Sequence, residues 1–83
     1  MLQNDVRTAY KIFENDATTA KYSRYTGETV KEWFYRMSWG QDEQVFSTYD
    51  KARYGSLAIT ESEAIRFINE LKKIKKNNFL KDV

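Results

Sequence analysis

Thr18-Thr19-Ala20-Lys21-Tyr22-Ser23-Arg24-Tyr25-Thr26-Gly27, followed by Glu28 and then Thr29-Val30-Lys31-Glu32, is the stretch on which the fold turns. Thr18 or Asp16 is placed to cap a short helix over residues 19–26. Gly27 stands where a helix C′ residue turns left-handed, a backbone state glycine enters without a Cβ clash. Thr29-Val30-Lys31-Glu32 is a capping box, with Thr at the N-cap and Glu three residues on, each side chain satisfying the other's backbone N–H. The helix it starts puts Val30, Trp33 or Phe34, and Met37 along one face, and Gly40 ends it. These residues predict two short helices bent about a glycine.

Upstream, Val6, Ala9, Tyr10 and Phe13 recur at helical spacing, with Ile12 beside them. The spacing predicts a helix over 4–14, capped by Asn4 or Asp5 and broken at Asn15-Asp16. Downstream, residues 44–59 admit two readings. Val45-Phe46-Ser47-Thr48-Tyr49 is rich in β-branched and aromatic types, and residues 54–59 can pair with it across a turn at Asp50-Lys51-Ala52-Arg53. That hairpin is the favoured reading; a helix over 42–54, stopped at Gly55, is its rival. The last element is a helix over 60–76. Thr60-Glu61-Ser62-Glu63 is a second capping box, Ala64, Ile65, Ile68, Leu71 and Ile74 or Lys75 carry its apolar stripe, and Asn77-Asn78 stop it. Lys72, Lys73, Lys75 and Lys76 sit at its negative end, where cations complement the helix dipole.

The chain has 83 residues, 41% hydrophobic, 31% charged and 16% aromatic, which suits one folded domain spanning 1–83 with one modest core. A core of this size gains from burying a helix against a second subunit. There is no Cys and no His, which removes disulfides, thiol nucleophiles, the commonest general base and the commonest zinc ligands. No Gly-rich phosphate loop is present, and Asp42-Glu43 are adjacent in sequence and so not set to face one another. The reading is that the chain is not an enzyme and uses no cofactor. No apolar run reaches the length of a signal peptide or a membrane span, so the expected location is the cytoplasm with no membrane contact. Net charge is +2, which permits nucleic acid as a partner without requiring it. The lysines, Lys81 included, crowd the tail, while Asp42, Glu43, Asp50, Glu61 and Glu63 make the middle acidic.

A helix followed by two helices about a tight turn is the order of a helix-turn-helix. Residues 8–16, Thr8-Ala9-Tyr10-Lys11-Ile12-Phe13-Glu14-Asn15-Asp16, together with 18–27, resemble the N-terminal helix-turn-helix of small phage and plasmid transcriptional regulators, lambda-repressor-like in the broad sense. Ser23 precedes Gly27 by the spacing at which that family places a small residue. Glu28 and Trp33 stand where it carries smaller apolar ones. The resemblance implies a mostly α fold with a small β-hairpin, a winged helix-turn-helix that binds double-stranded DNA as a homodimer through its C-terminal helix.

On that reading Thr29, Lys31, Glu32, Tyr35 and Arg36 face the major groove, with Arg36 suited to guanine and Glu32 to a cytosine amine. Thr19, Lys21 and Arg24 hold phosphates, and Lys51 and Arg53 form a basic wing tip. The competing reading is a small phage-type protein that binds and inhibits a host protein, for example a defence nuclease. Its surface would be the aromatics Tyr22, Tyr25, Tyr35, Trp39, Tyr49 and Tyr54, since Tyr and Trp are enriched at binding hot spots. The modest +2 charge and the acidic middle suit this second reading better than DNA binding, and Glu28 and Glu32 count against a DNA face because carboxylates repel phosphate.

Overall fold

A computed structural model describes residues 2–55 and 58–79 and arranges them as four helices: α1 (Leu2–Thr19), α2 (Val30–Met37), α3 (Glu43–Tyr54) and α4 (Glu61–Asn78). Helices α1, α3 and α4 pack against one another, and the short α2 covers the end where Phe13 and Phe79 lie. The C-terminal turns of α1 and α4 meet, with Lys75 Nζ 3.1 Å from Asp16 Oδ2, so these two helices run in the same direction.

Helix α1 is longer than its sequence suggests. Val6, Tyr10, Phe13 and Ala17 are all buried at spacings of four, three and four, so the stripe continues through Asn15-Asp16. The expected break is absent because the weak helix propensities of Asn and Asp, a few tenths of a kcal/mol each, yield to the burial of Ala17. The expected helix over 19–26 is also absent. Lys21 takes the left-handed conformation at φ 69°. Its N–H donates to the Thr18 carbonyl at 3.0 Å, and the Tyr22 N–H donates to the Ala17 carbonyl at 2.8 Å. That pair of bonds is a Schellman stop, with Lys where glycine is usual. Gly27 sits instead at the third position of a turn closed by Glu28 N–H to the Tyr25 carbonyl at 3.0 Å, where its φ of 83° is required.

Helix α2 starts on the expected capping box, with both reciprocal bonds of Thr29 and Glu32 made. It stops earlier than Gly40. Ser38 is left-handed at φ 59°, and Trp39 N–H donates to the Phe34 carbonyl at 3.0 Å. The Trp39 and Phe34 rings lie 5.5 Å apart and supply the apolar contact that accompanies such a stop.

The hairpin is corrected outright: no strand occurs among the described residues, and the rival helix forms as α3. Asp42 caps it by accepting from Gln44 N–H, and Gly55 at φ 66° ends it. Val45, Phe46, Thr48 and Ala52 are buried on one side, and Thr48 Oγ1 donates to the Gln44 carbonyl at 2.8 Å. Burial of that face outweighs the β preference of Val45-Phe46-Ser47-Thr48-Tyr49, which is worth at most about 1 kcal/mol per residue. The fold is therefore all-α and wingless among the described residues. Positions 56 and 57 of the expected second strand lie outside them, as does Lys81.

Helix α4 begins on the expected Thr60–Glu63 capping box. Its buried stripe is Ala64, Phe67, Leu71 and Ile74; Phe67 replaces Ile65, which is 52% exposed, and Ile68 is half-buried. The core's densest part is aromatic. Phe13 has the rings of Trp33, Phe34, Trp39 and Phe79 within 5.7 Å, contacts worth about 0.5–1.5 kcal/mol apiece beyond area burial. Trp33 is fully buried and donates its indole N–H to the Tyr22 carbonyl at 3.0 Å, which fastens α2 to the turn after α1. The Tyr10 ring lies 4.5 Å from that of Tyr49, tilted by 45°, and its hydroxyl donates to Glu14; burial, then the Glu14 carboxylate, push the phenol above the ordinary value.

Candidate functional site

The expected site residues divide into two neighbouring groups and an outlier pair, and most of their polar groups have partners within the chain. Thr29 and Glu32 are occupied by the capping box of α2: Glu32 Oε1 accepts from Thr29 N–H at 2.9 Å, and Thr29 Oγ1 accepts from Glu32 N–H at 3.1 Å. Glu32 is thereby committed to a backbone amide.

Arg36 is the centre of the first group. Its Nε and Nη2 reach the two carboxylate oxygens of Glu28 at 2.8 and 2.9 Å, a fork-to-fork pair. Nη2 also donates to the Ser23 carbonyl at 3.2 Å, and the guanidinium lies 3.6 Å from the centroid of the Tyr25 ring. Glu28 Oε1 accepts a further bond, from Tyr25 N–H at 2.9 Å. The Arg36 hydrogen bond, followed by the Tyr25 amide and nearby positive charge, keeps the Glu28 carboxyl below the usual carboxylate range. Arg24 joins the same cluster, pairing with Glu14 at 3.3 Å and donating to the Glu28 carbonyl. The residues 23–28 are thus clamped to the outward side of α2, although they form no helix.

The second group lines a hollow of about 590 Å³ between the start of α2 and the end of α3, where Thr29, Lys31, Lys51 and Arg53 meet. Lys31 pairs with Glu43 at 2.9 Å, and Lys51 with Glu63 at 2.6 Å. The Lys51 hydrogen bond, with the Thr60 amide, lowers the Glu63 carboxyl. Arg53 lies 5.0 Å from the Tyr54 ring. Val30, Phe46 and Tyr49 contribute the apolar part of the lining. Lys51 and Arg53 are helical residues here and not the tip of a wing.

Thr19 and Lys21 stand apart at the exposed end of α1, Lys21 being the residue that turns the chain. Of the expected exposed aromatics, Tyr25, Tyr35 and Tyr54 are 63–66% exposed, Tyr22 and Tyr49 are half-buried, and Trp39 belongs to the core. Tyr35 shares a shallow hollow with Lys31, Glu32 and Arg36. Spacing alone does not show the Glu28–Arg36 clamp, because the pair is eight residues apart across a turn. The one local sign of it is Glu28 three residues after Tyr25, within reach of the Tyr25 amide. No helix of the described residues is long and apolar enough to cross a membrane, and no acidic cluster among them is arranged to hold a metal ion.

No family model, no curated protein and no solved structure matches this chain.

Proposed function

We propose that this protein is a protein-binding module that engages its partner through the outward side of α2 and the turn clamped against it. The observation that carries the reading is the state of Arg36. Its charge is matched by Glu28 and its plane is laid on Tyr25, so the surface presents fixed aromatic and guanidinium faces rather than a cation awaiting phosphate. Tyr25 and Tyr35 flank it and are both well exposed. Arg36, held by its ion pair and lying over Tyr25, loses little freedom on binding, which is a property of interface anchors. The hollow between α2 and α3, with Tyr54 on its rim, extends the same face.

The charge arrangement disfavours a duplex. Arg24, Lys31, Arg36 and Lys51, four of the six expected cationic contacts, each have a carboxylate partner within 3.3 Å. Transferring such a cation to phosphate exchanges one ion pair for another and leaves a carboxylate facing the backbone, so the usual gain from counterion release is reduced.

The test is capture from a host lysate on immobilised protein, comparing wild type with Tyr35→Ala and adding excess duplex DNA as competitor. Tyr35 is exposed, so its removal leaves the fold intact. One protein retained stoichiometrically by wild type, lost with Tyr35→Ala and undisturbed by DNA is the expected result. Retention of nucleic acid in its place, released by added salt, would overturn the reading.

A further inference from the structure

Helix α4 is apolar on two sides. One stripe, Ala64, Phe67, Leu71 and Ile74, is in the core; beside it Ile68 is half-buried against the core's edge and Ile65 is exposed. Beside it α1 presents Ile12, which is 49% exposed, and Ile68 and Ile12 line one hollow between the two helices together with Ala9 and Leu71. Ile12 and Ile65 are the two large aliphatic side chains left exposed among the described residues, and both lie on this α1/α4 side. The charges along the face are sorted once the Lys75–Asp16 pair at its finishing end, 3.1 Å apart and mutually neutralising, is set aside. Helical spacing places Glu61 and Asp5 at the end where α4 and α1 begin, and Lys72 and Lys76 towards the end where they finish.

We infer that this face docks a second copy of the chain, antiparallel, about a two-fold axis close to Ile68. In an isologous contact each copy offers the same patch, so the patch must complement itself when rotated by half a turn. An acid-to-base gradient along two parallel helices meets that condition. Reversal sets the Asp5/Glu61 end of one copy against the Lys72/Lys76 end of the other, and it also opposes positive helix N-termini to negative C-termini. A parallel arrangement would place like charges together. The aliphatic strip between the charged ends then loses its water. A chain this small buries a modest share of its surface by itself, so such a contact also raises its stability by mass action. The inference does not rest on the proposed function, since the face shares no residue with the outward side of α2.

Sedimentation equilibrium of the whole chain, from about 5 µM to about 1 mM, tests it. Wild type is expected to approach twice the monomer's 9.9 kDa and to dissociate on dilution. Ile12→Glu combined with Ile65→Glu changes exposed positions and should stay at the single-chain mass with an unaltered far-UV spectrum. Two charge variants then test the direction of packing: Asp5→Lys with Glu61→Lys, and Lys72→Glu with Lys76→Glu. Neither should self-associate, and an equimolar mixture should recover the two-chain mass. A wild type that remains single-chain throughout, a dimer that survives the two isoleucine substitutions, or a mixture that stays dissociated would overturn the inference. Loss of the dimer with partner capture intact, or the reverse, separates this contact from the α2 face.

Discussion

Lys21 shows how much one residue can redirect. It occupies a left-handed backbone state that costs an L-residue with a side chain about 1 kcal/mol, and it holds that state because two carbonyls of α1 are satisfied there. Lys21→Gly is therefore expected to raise unfolding stability by about 1 kcal/mol in a denaturant titration, with partner binding unchanged. The same residue explains a limit of the sequence. Glycine is the residue type that marks a helix stop, whereas α1 and α2 end on Lys21 and Ser38, and neither type announces the turn. Glu28 and Glu63 supply a second residue-scale prediction. Their partners, Arg36 and Lys51, hold both carboxyls below the usual range in the folded state. A depressed folded value means stabilisation that is present above the unfolded carboxylate value and lost as pH falls through the folded one. The melting temperature should accordingly fall as pH drops below about 4. Glu28→Gln with Glu63→Gln should lower the melting temperature at neutral pH and flatten that dependence, while the introduced amide oxygen at position 63 still accepts the capping bond from the Thr60 N–H.

At the scale of the element, the two capping boxes were readable because each depends on residues within one turn, whereas the apolar stripes were readable only in part: Phe67 takes the core place expected of Ile65, and the α1 stripe runs on to Ala17. Thr29–Glu32 and Thr60–Glu63 start α2 and α4 where their spacing says. Helix α3 was legible only as one of two readings. Its segment carries β-branched and aromatic residues, yet Val45, Phe46, Thr48 and Ala52 also fit one helical side, and Asp42 and Gly55 fit its two ends. What decides between them is the core offered by α1 and α4, which is a property of the assembled chain. Ser47 is exposed in the middle of α3, so Ser47→Pro is a sharp discriminator. It removes a helical N–H and clashes with the preceding turn, and should cost about 3 kcal/mol or more by chemical denaturation. An exposed strand position would tolerate it far better.

For the whole molecule, net charge says less than the pairing of the individual charges. A chain of +2 with clustered lysines permits a nucleic-acid partner, but the fold brings acids from distant segments onto the cations: Glu28 to Arg36, Glu63 to Lys51 and Asp16 to Lys75. Those pairings cross separations of eight, twelve and fifty-nine residues and have no periodic signature. The proposed function rests on the exposed tyrosines beside Arg36. The most direct test of that account is the affinity of the captured partner, once purified, for wild type and for Tyr35→Ala by calorimetric titration. The account predicts a loss of about thirtyfold or more for Tyr35→Ala, as for a buried aromatic anchor, with an affinity that changes little as salt is raised. Affinity unchanged by Tyr35→Ala, or falling steeply with salt as a phosphate contact does, would contradict it.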